Sequence, residues 1–200
     1  RHDVVRAADP RRTSHAEDRE IVALGRAAGE DDLGRLAGPD RAGDRLARDL
    51  RRLCEWQIRF FGTPAPMDRY VFLVTAVGEG YGGLEHRAST ALLCSRDDLP
   101  RPGVKAASES YRTFLGLASH EYFHAWNVKR LKPVELASID YTRENHTPLL
   151  WFFEGFTSYY DDLLLLRAGL IDAPRYLNLV AKTFNGVAVT PGRAVQSVAQ

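Results

Sequence analysis

The pentapeptide His120-Glu121-Tyr122-Phe123-His124 constrains this chain more than any other stretch. Histidines at i and i+4 lie one turn apart on one helix face, so both imidazoles can reach a single ion. Glu121 is rotated about 100° from His120. That sets its carboxylate beside the ion rather than on it, where it can hold a water molecule. Paired histidines with an adjacent glutamate form a zinc-binding pattern. Zinc draws the pKa of a bound water toward about 7, and Glu121 is placed to take that water's proton.

A hydrolytic zinc site takes three protein ligands and keeps a fourth position open. The candidate third ligand is Glu154, in the run from Trp151 to Tyr160, thirty positions after His124. It is an acid in an otherwise aromatic and apolar segment. A buried, uncompensated carboxylate is costly, and a coordinated cation relieves that cost. A structural ion pair or a glutamate in a helix's first turn would also account for it. Its place after the HEYFH helix favours the metal.

The surrounding elements read as α+β. From Asp44 to Phe61, Leu46, Leu50, Leu53, Ile58 and Phe61 line up opposite Arg48, Arg52, Glu55 and Arg59, which predicts an amphipathic helix. Tyr70 to Val77 is a continuous apolar run and predicts a buried strand. Beyond the glycine-rich Gly78 to Gly83, the segment Leu84 to Leu93 predicts a second strand, at a sheet edge because its start is polar. A helix from Ser108 carries HEYFH and is expected to reach Asn127 or Arg130, short of Pro133. Thr147-Pro148 opens a helix that Gly169 closes, and Asp172-Ala173-Pro174 opens another that ends near Phe184, before Asn185-Gly186. Upstream, residues 1–20 read as a flexible, charge-rich arm. Glu20 to Leu36 reads as short helical pieces broken by Gly25, Gly29 and Gly34, and Pro39-Asp40 marks a boundary. Residues 1–43 therefore read as the poorly patterned remnant of an upstream region, and residues 44–200 as one domain.

Composition narrows the function classes. The 200 residues are 44% apolar and 26% charged with a net charge of +1, so no strong field points to nucleic acid or an anionic membrane. No stretch approaches the ~20 apolar residues of a membrane span. The polar opening residues lack a signal-peptide core, and a soluble protein of the cytoplasm is favoured over an exported one. Cys54 and Cys94 do not make a disulfide framework and are expected to be free and buried.

Three segments, HEYFHAWNVKRLKP, LLWFFEGFTSYYDDLLLLRAGL and the upstream GYGGLEH, together resemble the glycyl aminopeptidase family. These are zinc peptidases of the gluzincin type, often with a C-terminal PDZ domain. The resemblance runs from about Asp44 to the end of the chain. It implies a thermolysin-like catalytic domain, with a small β-sheet and its edge strand followed by a mainly helical part. It implies one zinc ion per chain, held by His120, His124 and Glu154, with Glu121 as general base. It also implies that Gly82, Gly83 and Glu85 lie along the substrate. The glycines would let the peptide backbone approach, the edge strand would pair with it, and Glu85 would bind its N-terminal ammonium. Without the resemblance, the same residues read as a surface hairpin with a solvated glutamate. His86 is expected to pack on the sheet.

Two features depart from the family. Too few strands precede residue 44 for the usual N-terminal β-sandwich. The Tyr-x-Lys-Gly segment that supplies an oxyanion tyrosine in related aminopeptidases does not occur, and Tyr159, Tyr160 and Tyr176 lack its context. The chain thus reads as the central part of a longer enzyme, incomplete on its C-terminal side. The expected function is a zinc-dependent aminopeptidase acting on peptides with a free N-terminus, with glycine or alanine first as the family name implies. The alternatives are a zinc endopeptidase of similar geometry and a catalytically weak, zinc-containing peptide-binding module. Thr157, Ser158 and Asp161 either support the ligand histidines or are solvated. Asn127, Lys129 and Arg130 either cap the helix end, which is favoured, or reach the substrate carboxylate, and Trp126, Trp151, Phe152 and Phe156 are expected to lie in the core. Nothing in the sequence sets the oligomeric state.

Overall fold

The apolar run at Tyr70 forms the middle of a sheet. The computed structural model describes residues 3–6, 20–27, 42–195 and 197. Among them, strands β1 (Asp3–Arg6), β2 (Glu20–Ala27), β3 (Arg69–Val77), β4 (Gly82–Glu85) and β5 (Ser89–Ser95) lie in the order β1-β2-β3-β5-β4. The central β3 runs parallel to β2 and to β5. The edge strands β1 and β4 pair antiparallel with their neighbours. Helices α1 (Ala42–Phe61), α2 (Glu109–Phe123), α3 (Leu150–Arg167) and α4 (Ala173–Val189) follow, with a short α5 (Gly192–Val195). The architecture is α+β, as composition and pattern predict.

Burial alternates along β3. Tyr70, Phe72, Val74 and Ala76 are buried, whereas Leu73, pointing the other way, is 44% exposed. A strand covered on one face only needs apolar residues at every second position. The apolar run is thus longer than its burial requires. The buried face meets Leu46, Leu50, Leu53 and Cys54 of α1, Leu92 and Cys94 of β5, and Tyr111, Phe114, Leu115, Ala118 and Tyr122 of α2. Those α2 positions fall three and four apart, the spacing that puts them on one helix face. Tyr122 meets Tyr70 edge-on, with ring centroids 4.6 Å apart. Both cysteines are free and buried, as expected.

Polar ties lock the helices to each other. Gln57 of α1, fully buried, donates from Nε2 to the Ser119 carbonyl (2.9 Å) and to Ser119 Oγ (3.0 Å). Ser119 Oγ in turn donates to the Asp161 carbonyl on α3 (2.8 Å). Arg52 of α1 donates to the Ala168 carbonyl at the end of α3 (2.6 Å), where a cation also favours the helix dipole. Gly169 closes α3 with φ +66°, the left-handed conformation that suits glycine.

Several predicted boundaries differ from the structure. Glu20–Ala27 is a strand rather than broken helix, because its backbone pairs in register along β3, with Gly25 opposite Val74. Tertiary pairing outweighs the local glycine signal there. Within the predicted arm at 1–20, Asp3–Arg6 is strand β1 paired with β2, and most of the rest, like the boundary at Pro39-Asp40, lies outside the described residues. The predicted strand from Leu84 to Leu93 is a hairpin: β4 ends at Glu85, and the His86 N–H donates to the Ser89 carbonyl across the turn. Helix α2 stops at Phe123, earlier than Asn127 or Arg130, for a reason that belongs to the metal centre below. Helix α4 runs through Asn185-Gly186 to Val189. Trp151 and Phe156 are 50% and 43% exposed instead of core. Among the described residues, no helix is long and apolar enough to cross a membrane.

Leu53 is fully buried between α1 and the sheet. Leu53→Ala is expected to cost about 3 kcal/mol and to lower the thermal midpoint by roughly 10 °C, measured by circular dichroism melting.

Candidate metal centre

Two helices meet to build the site. Ser108 caps α2 by accepting a hydrogen bond from the Tyr111 N–H, and the other end of α2 presents His120 and His124. Their rings stand 4.8 Å apart and nearly perpendicular. Helix α3 brings Glu154 against both: His120 Nε2 lies 3.3 Å from Glu154 Oε2, and His124 Nε2 lies 3.6 Å from Glu154 Oε1. One ligand atom from each residue falls within 4.8 Å of the others. Ligand atoms about 2.0–2.2 Å from a tetrahedral ion stand roughly 3.3–3.6 Å from one another. The two imidazoles and the carboxylate therefore fit a divalent ion such as zinc.

The histidines are held from behind. His120 Nδ1–H donates to Asp161 Oδ2 (3.1 Å), and His124 Nδ1–H donates to the Asn127 carbonyl (2.9 Å). Engaging Nδ1 in this way turns each Nε2 toward the cluster, where its lone pair becomes available once the proton on His120 is lost. Asn127 is itself fixed, donating from Nδ2 to the Phe153 carbonyl (3.0 Å) and to Thr157 Oγ1 (3.1 Å). Asp161 and Thr157 thus perform the support that the sequence left open, while Ser158 is exposed. Asn127 supports His124 rather than capping the helix. Arg130 and Lys129 do not cap the helix either: Arg130 donates to the carbonyls of Ala125 (2.5 Å) in the turn after α2, Arg87 (3.0 Å) and Pro66 (2.8 Å), and the Lys129 ammonium pairs with Glu85.

This support explains the early end of α2. Val128 has φ +126°, a region that a β-branched residue rarely enters. Such strain costs about 1–3 kcal/mol. It reverses the chain so that the Asn127 carbonyl faces His124 and the Lys129 N–H donates to the His124 carbonyl (3.0 Å).

Glu121 is buried beside the candidate ligands, and its Oε2 has no hydrogen-bond partner among the described residues. Burial pushes its carboxyl up to about 7; His120 opposes that shift, while Glu85 and Glu154 add to it. A buried carboxylate oxygen left open beside three converging ligands suits a group that handles a water molecule. Strand β4 lies over it. A Cβ on Gly83 would stand 2.1 Å from Glu121 Oε1, so this strand can cover the carboxylate only with glycine at 83. Gly82 has open space around its Cβ position. Glu85 pairs with Lys129, Nζ to Oε1 at 3.0 Å. His86 is exposed, with Nδ1 3.1 Å from the Leu84 carbonyl, instead of packing on the sheet.

Tyr81, 62% exposed just before β4, feels the acidic groups of the site. Desolvation and then the carboxylates of Asp161, Asp162 and Glu121 raise its phenol. Its place in the turn before GGLE was the available signal.

Residues 113–200 match the family described as M61 glycyl aminopeptidase. Among solved structures, the chain is similar to an aminopeptidase N family protein from Idiomarina loihiensis, at 40% identity and a TM-score of 0.74. That match covers 88% of this chain, which spans 27% of the Idiomarina protein's length. No curated protein matches.

In the metal-free site, burial lowers His120, but hydrogen bonds to Asp161 and Glu154 outweigh it and raise the imidazole to about 10. Burial lowers the His124 imidazole. Metal must displace the His120 proton, so affinity rises with pH below about 10. Zinc competition against a chelator between pH 6.5 and 8.5 is expected to show about a tenfold gain per pH unit. A pH-independent affinity would contradict this assignment.

Proposed function

From the match of residues 113–200 to the M61 glycyl aminopeptidase family and the geometry of the site, we propose that this chain is catalytic machinery of a zinc-dependent aminopeptidase. Residues 44–200 then form part of a thermolysin-like domain. The observation that carries the reading is the convergence of His120, His124 and Glu154 next to the buried carboxylate of Glu121. Held by those three residues, zinc would supply an acidified water and polarise the scissile carbonyl.

The chain's own residues do the rest. Glu121, poised near neutrality, accepts a proton from the attacking water and returns it to the leaving amine. Gly83 leaves room for that carboxylate. Asp161 and the Asn127 carbonyl hold the imidazoles in the tautomer that binds metal. Strand β4 pairs with β5 on one side, and its other side is a sheet edge on which an extended peptide can add as a strand. Glu85 lies two residues beyond Gly83, so both face the same side of the strand. It receives the substrate's N-terminal ammonium and fixes cleavage at the first peptide bond. A peptide beginning with glycine or alanine is the expected substrate.

Glu121→Gln is expected to keep about one zinc per chain and to lower hydrolysis of an alanyl peptide by roughly 10²–10⁴-fold. Gly83→Ala must displace Glu121 and is expected to lower turnover with metal content unchanged. An N-acetylated peptide should resist cleavage. Its cleavage at a comparable rate would favour an endopeptidase, and protein without bound zinc would overturn the whole reading.

A further inference from the structure

The proposed reaction leaves Lys129 without a role, yet the fold goes to some length to place it. Its Nζ lies 3.0 Å from Glu85 Oε1, with side-chain exposures of only 22% and 24%. The turn that presents it is pinned at each residue. Val128 takes φ +126°. The Lys129 N–H donates to the carbonyl of His124, and Arg130 reaches three backbone carbonyls. One turn therefore aims both the carbonyl behind a metal ligand and the ammonium in front of Glu85. A long surface lysine held by its flexible stem alone would not be so constrained.

Glu85 needs a cation. It is partly covered and shares its surroundings with Glu121, whose carboxyl feels both Glu85 and Lys129. An unpaired carboxylate there would be repelled by its neighbours and would accept any passing cation. A built-in ammonium removes the repulsion and raises the threshold for binding.

We propose that Lys129 is an internal stand-in for the substrate's N-terminal ammonium, and that a peptide's amine binds by displacing it from Glu85 Oε1. The inference rests on the aminopeptidase reading, in which Glu85 is the amine anchor. Exchanging one ammonium for another keeps the charge around Glu85 constant. Only an amine that also gains backbone pairing along β4 can displace Lys129, so small free amines and solvent cations are rejected. Specificity here comes from a competitor that the correct ligand must beat.

The test uses zinc-loaded Glu121→Gln protein, which binds without turning over. The probes are alanyl-alanine amide and its N-acetyl derivative, followed by calorimetry. Adding Lys129→Met is expected to tighten the unblocked peptide roughly fivefold, the scale of a partly exposed ion pair, and to leave the acetylated one unchanged. Weaker or equal binding of the unblocked peptide would overturn the proposal. A second measurement keeps Lys129 in place. The chain has only four lysines, at 105, 129, 132 and 182, so their ¹⁵Nζ signals can be assigned. The unblocked peptide should move the Lys129 signal to that of a solvated lysine, and the acetylated peptide should not. An unmoved signal at saturation would overturn the displacement. Adding Glu85→Gln separates the two readings. If it leaves the affinity of the unblocked peptide unchanged, the amine anchor itself fails. If it weakens that affinity while Lys129→Met does not tighten it, only the role of Lys129 fails.

Discussion

The register between α2 and α3 is the constraint on which this site depends. Neither helix contains the site: one carries two imidazoles, the other a carboxylate. Buried hydrogen bonds hold them in place, from Gln57 to Ser119, from Ser119 to the Asp161 backbone, and from Asn127 to Phe153 and Thr157. Each such bond contributes about 1 kcal/mol net, but leaving its buried partners unsatisfied costs about 1–3 kcal/mol each. A slip of α3 by one residue would break several of these bonds together and would turn Glu154 off the histidines. Apolar packing alone would tolerate such a slip more readily, because it is less directional.

The same economy of contacts joins the metal centre to the sheet edge. Strand β4 crosses Glu121 at the one position where it has no side chain, and two residues later it offers Glu85 to the turn that follows His124. The strain at Val128 belongs to this junction. A relaxed helix continuing through Asn127 would send that residue's carbonyl along the helix axis instead of to His124. The chain accepts a local cost so that three groups, a candidate metal ligand, its supporting carbonyl and an ammonium, take their places within six residues of one another.

The central part of the site was legible in the sequence, and so was most of the scaffold. HEYFH points to its task because a helix converts a spacing of four into a shared face, and the structure does bring Glu154 to that face; the burial expected for this acid is not found, since its side chain is 48% exposed. Helix α1, strand β3 and the free buried cysteines follow from periodicity and composition in the same way. The misreadings share a different cause. The strand at Glu20–Ala27, the hairpin at His86 and the end of α2 depend on which backbone lies alongside, and no local pattern encodes that neighbour. Trp151 and Phe156 show the converse, with apolar residues that predict burial yet remain exposed on α3.

The sequence by itself determined which residues are candidates for binding a metal and for acting as its base, and that helices would carry them. Those are properties of residue types at short, fixed separations. Only the tertiary structure decided that Asp161 rather than Ser158 supports His120, that Asn127 serves His124 through its backbone, that position 83 must be glycine for the sake of Glu121, and that Lys129 meets Glu85. Each of these joins elements whose relative placement comes from packing, so the contact exists only once the core has formed around it.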